Sequence, residues 1–165
     1  MRIFAALRED IQQGWVWLQI PNLPSRSIVK ITNPNNGKSI YCEALQIDQN
    51  FLDFYNQPNR IAISDPQNAL VISGWYRAGL GDLSTKSDVH LCVNPCNSSW
   101  GKLRACLHHP QIIVRVAAWL GLISVALGLV GVALGAMSLK ASQPNIAVER
   151  DAPQAAQPLA PRPSP

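Results

Sequence analysis

Ser27-Ile-Val-Lys-Ile-Thr-Asn-Pro-Asn-Asn-Gly-Lys-Ser-Ile-Tyr-Cys-Glu-Ala-Leu45 carries the fold class of this chain. Ser27 to Thr32 is rich in β-branched residues. Its alternation puts Ile28 and Lys30 on one face and Val29 and Ile31 on the other, as a pleated strand requires. Asn33-Pro34-Asn35-Asn36-Gly37 is a turn cluster in which Asn36 or Gly37 can take positive φ. Ser39 to Leu45 then returns as the second arm of a hairpin.

The flanking sequence is also strand-like. Trp15, Val16, Trp17, Leu18 and Ile20 form one segment, and Pro21 and Pro24 break it. Arg60-Ile-Ala-Ile-Ser64 reads as a further short strand, ended by Asp65-Pro66. Ala69 to Ala78 carries Leu70, Ile72, Trp75 and Tyr76 at helical spacing and reads as a helix that Gly79 or Gly81 terminates. Ile3, Phe4, Leu7 and Ile11 also fall at helical spacing. They predict a short amphipathic helix that packs on the domain or lies on a membrane surface. Arg8, Glu9 and Asp10 interrupt this segment where the apolar core of a secretory signal would continue.

The order of these pieces resembles a double-psi β-barrel of the rare lipoprotein A family. The matching stretches are LPSRSIVKITNPNNGKSI, a strand ending in QID, and NRIAISDPQNALVISGWYRAGLG. Leu23, Pro24, Val29, Thr32, Asn33, Asn36, Gly37, Ser39, Asp48, Arg60, Ile61 and Leu80-Gly81 fit the family order over about residues 23–81. The resemblance implies a mainly β small barrel with short helices. In the family's glycan-cleaving enzymes an Asp in the loop after the second strand is the general acid, and Asp48 holds that position. The loop here continues Gln49-Asn50-Phe51-Leu52 in place of the family's Arg-Gly-Pro, and the His-bearing lead-in is missing. Asp48 therefore reads as a turn-capping carboxylate, and the expected domain is non-catalytic. The alternative is a membrane-anchored peptidoglycan-type enzyme using Asp48.

Val116 to Leu139 reads VAAWLGLISVALGLVGVALGAMSL. Charged residues are 15% of the chain, against about 25% in ordinary soluble domains, and this segment has none. At about 1.5 Å per residue it crosses a hydrocarbon core of about 30 Å, where the backbone must satisfy itself as a helix. Lys102, Arg104 and Arg115 precede it, while Lys140 and Arg150 follow. That bias puts the N-terminal domain in the cytoplasm. Gly121, Gly128, Gly131 and Gly135 recur along the helix, with Gly131 and Gly135 forming a GxxxG. Small residues let helix backbones approach, so these predict an association face.

His90, Cys92, Cys96, Cys106, His108 and His109 form the one cluster with ligand chemistry. Cys and His at short spacing suit zinc, although Cys-x3-Cys is looser than usual. A disulfide, palmitoylation of Cys106, or plain free thiols are the other readings. Asn97-Ser98-Ser99 fits a glycosylation sequon. The net charge of +4 comes from scattered cations, without the Lys/Arg run that nucleic acid would demand. No cofactor motif is present.

The expected organisation is an amphipathic helix at 1–14, a β-barrel-like domain at 15–83 and a Cys/His juxtamembrane segment at 84–115. A transmembrane helix at 116–139 and a disordered Pro/Ala-rich tail at 140–165 complete it. The expected partners are the lipid bilayer and a protein bound through the membrane helix or the barrel. The expected role is a protein-binding or scaffold subunit of a membrane complex.

Overall fold

The computed structural model describes residues 1–58 and 60–141. The tail beyond residue 141 lies outside the described residues. Six strands form one mixed sheet: β1 (Arg2–Ala5), β2 (Trp15–Leu18), β3 (Arg26–Thr32), β4 (Ser39–Gln46), β5 (Ala69–Ile72) and β6 (Cys92–Pro95). Their order is β1-β5-β2-β4-β3-β6. The helices are α1 (Gln49–Tyr55), α2 (Gly74–Gly79), α3 (Ser99–Leu107) and α4 (Ile112–Ala141).

The expected hairpin is β3 and β4, antiparallel from Arg26↔Leu45 to Thr32↔Ser39. Gly37 takes φ +72° at its turn. The Asn33 and Asn36 side-chain amides both donate to the carbonyl of Leu80, each over 2.9 Å. The turn is thus fastened to the end of α2. Gly81 (φ +103°) lies against Asn36 closely enough that a Cβ there would overlap its amide.

The sheet closes on itself. β1 runs parallel to β5, and β2 runs parallel to β4. β6 pairs antiparallel with β3. The residues just before β6 pair with β1: Lys86 N–H donates to the Ile3 carbonyl at 2.8 Å, Ile3 N–H to Ser87 at 3.0 Å and Val89 N–H to Met1 at 2.9 Å. One continuous segment, 86–95, therefore joins the two ends of the sheet, pairing with β1 through its first part and with β3 through β6.

Inside the barrel lie Ile3, Val16, Leu18, Val29, Ile31, Ile40, Cys42, Ala44, Leu70 and Ile72, with Tyr76 of α2 and Leu80 just after it packed at one end. A second core sits outside the wall. There α1 covers Phe4, Leu7, Ile47, Ala69 and Val71 with Phe51 and Tyr55. Each such burial contributes about 1.5–3 kcal/mol.

Four expectations are corrected. Residues 1–14 are not an amphipathic helix: Ile3 enters the barrel and the adjacent Phe4 enters the outer core, which is strand geometry, and only Arg8–Asp10 forms a 3-10 turn. Ala69–Ala78 is not one helix. Its first four residues form β5, buried on both faces, and such a strand carries the continuous apolar run that also fits a helix. Arg60–Ser64 is not a strand. The Asn56 side chain takes the place of a neighbouring strand, accepting from Ile63 N–H at 2.8 Å. Residues 84–115 are not a separate segment, because they supply the closing strand β6 and α3.

α4 contains the expected span 116–139. Within Ile112–Lys140 the most apolar stretch of 18 residues has a mean hydropathy of 2.3, and no part of it is buried. It is the one helix among the described residues long and apolar enough to cross a membrane.

Candidate functional site

Asp48 is the N-cap of α1. Its Oδ1 accepts from the Phe51 N–H at 2.7 Å, satisfying one of the donors that a helix start leaves open. Phe51 stacks on Trp17 with ring centroids 4.2 Å apart. A second carboxylate, unmarked by any sequence motif, lies on the far side of Trp17. Asp10 is 8% exposed. Trp15 donates its indole N–H to Oδ1 at 3.1 Å, and Trp17 donates to Oδ2 at 3.0 Å. Two donors, one per oxygen, are what a buried carboxylate requires. The signal for it in the sequence was an acidic residue a few positions before two alternate tryptophans.

The Cys/His cluster does not assemble. Among the described residues no three His, Cys, Asp or Glu side chains converge to hold a metal. His90 and Cys92 lie exposed before and on β6, Cys96 follows β6, and Cys106 and His108 belong to α3 and its end. All four cysteines are free. Gly101 packs so tightly on Cys96 that a Cβ would meet its carbonyl and sulfur, which seats α3 on the end of β6. Cys42 lies in the barrel, where burial pushes its thiol ionisation up. His109 packs on Gly14, and burial lowers its pKa.

α2, α3 and the first turn of α4 instead build a belt of aromatic rings and cations. The Arg115 guanidinium lies 4.7 Å from the centroid of Trp75. Trp75 donates its indole N–H to the His108 carbonyl at 3.1 Å. The His108 ring lies 5.6 Å from that of Tyr41, whose hydroxyl accepts from Arg104 at 2.6 Å. Arg104 also sits 5.2 Å from the Tyr41 ring and 5.5 Å from that of Trp100. Lys30 approaches Tyr41 from β3 at 5.9 Å. Spacing produces part of this belt: Trp100, Arg104 and His108 recur every four residues, so one side of α3 presents all three. A cleft of about 270 Å³ opens beside it, lined by Ile40, Trp75, Tyr76, Ala78, Gly79, Leu107 and His108.

On α4, a Cβ added to Gly121, Gly128, Gly131 or Gly135 would meet nothing within 4 Å. At 3.6 residues per turn the four span an arc of about 80°.

No protein-family model matches the sequence, and no curated protein matches it. Two solved structures of rationally designed double-psi β-barrel proteins are similar to this chain. One, mkDPBB_sym2, is 16% identical with a TM-score of 0.36, the match covering 59% of this chain and 94% of that one. The other, apDPBB_sym_79, is 14% identical with a TM-score of 0.37, covering 60% and 96%. The closure of the sheet rests on this chain's own hydrogen bonds.

Proposed function

We propose that this chain is a single-pass membrane protein whose small double-psi-like barrel is non-catalytic, and which serves as a protein-binding or scaffold subunit of a membrane complex. The observation that carries the reading is α4, apolar all round and uncovered. A helix of that kind belongs in a protein core or in lipid. Each Leu, Ile or Val left in water forgoes about 1.5–3 kcal/mol, and the sum over α4 exceeds the stability of a typical domain. The packed interior is consistent with a role for the outer surface, where shallow clefts lie among the described residues. Asp48, engaged as a helix cap, favours the non-catalytic reading over glycan cleavage.

The test is alkaline extraction of membranes from cells expressing the protein. The full chain stays in the pellet, whereas a chain stopped after Gln111 moves to the supernatant. Full-length protein in the supernatant sinks the reading. A reporter that requires export, active when fused after Pro165, places the barrel in the cytoplasm; activity only in the N-terminal fusion reverses that orientation.

A further inference from the structure

We propose that the belt from Trp100 and Arg104 through His108 to Trp75 and Arg115 is a docking surface for anionic phospholipid headgroups, which seats the barrel on the membrane that α4 crosses. This rests on the membrane-spanning reading of α4.

Charge is the first argument. Between Asp88 and Glu149 the chain has no acidic residue, yet it holds all three histidines, Lys102, Arg104, Arg115 and Lys140. Among the described residues the one ion pair is Arg26 with Glu43. Arg104 and Arg115 therefore have no carboxylate partner there. Aromatic rings hold both guanidiniums in place, and a guanidinium has five donors in a fork that matches phosphate geometry. Arg104 commits one nitrogen to Tyr41.

Aromatic exposure is the second argument. Trp75 is 46% exposed and Trp100 60%. Large rings with one polar edge are unfavourable in water and suited to the headgroup layer, where one end is apolar and the other wet. Continuity is the third. Arg115 lies in the first turn of α4 and rests on Trp75 of α2, which bonds the end of α3, so the belt is continuous in the chain with the start of the apolar helix. A cationic, aromatic surface next to a membrane helix is complementary to an anionic leaflet.

The test uses full-length protein in nanodiscs of zwitterionic lipid or of a mixture with an anionic phospholipid. Both carry a trace of lipid with a photoactivatable headgroup, and crosslinks are mapped by mass spectrometry. Crosslinks on residues 97–109 are expected in the anionic discs and should fall in the zwitterionic ones and at high salt. Each cation near an anionic surface changes partitioning about fivefold. Arg115→Gln, which removes the cation over Trp75, should therefore lower the yield by about that factor, without touching the Tyr41 contact. Arg104→Gln with Arg115→Gln should lower it further. Equal crosslinking in both lipids, or no effect of either variant, overturns the proposal. So does competition by inorganic phosphate at constant ionic strength, which would mark a free-phosphate site. Crosslinks confined to α4 overturn headgroup docking while leaving the membrane anchor standing. Failure to enter the discs overturns both.

Discussion

Trp17 joins two carboxylate-bearing turns: its indole N–H donates to Asp10 Oδ2 at 3.0 Å while its ring stacks on Phe51, the residue that Asp48 caps. The 3-10 turn before β2 and the start of α1 are therefore coupled through one side chain. Asp10→Asn keeps the shape but has a single carbonyl oxygen, so Trp15 or Trp17 loses its acceptor. The variant should lose about 1–3 kcal/mol of stability. Thermal unfolding of the full chain in detergent, followed by tryptophan fluorescence, measures this. An unchanged midpoint would mean the indoles find water instead.

Asp48→Asn should change little, because asparagine caps a helix as well as aspartate does. Asp48→Ala should cost about 1 kcal/mol. If Asp48→Asn abolished a cellular function at unchanged thermal stability, the carboxylate would have a chemical role that capping does not explain.

Tyr76 offers the opposite case. It is 1% exposed, and its hydroxyl has no hydrogen-bond partner among the described residues. Burial pushes its ionisation up. Tyr76→Phe removes a desolvated hydroxyl and keeps the ring, so stability should hold or rise by up to about 1 kcal/mol. Tyr76→Ala, which empties the end of the barrel, should cost about 3–5 kcal/mol. Destabilisation by Tyr76→Phe of more than about 1 kcal/mol would show that the hydroxyl is bonded in solution.

His109 makes stability depend on pH. Its Nδ1 accepts from the Gln111 N–H at 3.1 Å, which requires a neutral ring, and burial holds its pKa below the ordinary value. The unfolded chain takes up the proton near pH 6.5. Below that value, and until the native ring also protonates, the unfolded state binds more protons than the native one. Stability therefore falls as pH drops through this window. His109→Gln should show a smaller loss of melting temperature between about pH 7.5 and about pH 5.5 than the unaltered chain. An identical loss in both would assign the effect to other groups.

The glycines of α4 separate a packing face from ordinary membrane-helix composition. All four have open space beside them. Gly131→Ile with Gly135→Ile adds apolar bulk that lipid tolerates but a helix–helix contact does not. If the face associates, self-association or co-purification of a partner should weaken about tenfold, as contacts worth about 1–2 kcal/mol imply. Equal behaviour of both proteins would leave the glycines without an assembly role.

Elements with a self-contained local pattern were legible in the linear chain. The β3–β4 hairpin needs only alternation, a turn cluster and Gly37, all within residues 27–45. β2 needs only Trp15 to Leu18 and the prolines beyond. α4 needs only its unbroken apolar composition. Asp48 was readable as a capping carboxylate, a relation between residues three apart, although its expected place was a turn and the helix α1 that it caps was not legible.

Barrel closure was not legible, because it pairs positions far apart in the chain. Ile3 is a strand residue because residues 69–72 and 86–89 lie on either side of it, and local spacing carries no trace of either. β6 has a single β-branched residue, Val93; it is a strand because β3 has an unpaired edge to satisfy. β5 lost its alternation because α1 covers the face that would otherwise meet water. Asp10, Trp15 and Trp17 meet only after the turn before β2 folds back. The belt around Trp75 arose in the same way: helical spacing aligned Trp100, Arg104 and His108, but packing against β4 and α2 added Tyr41 and Trp75, and the start of α4 added Arg115. Periodicity reports which side of a segment is apolar, whereas the identity of the neighbour it meets is a property of the closed chain.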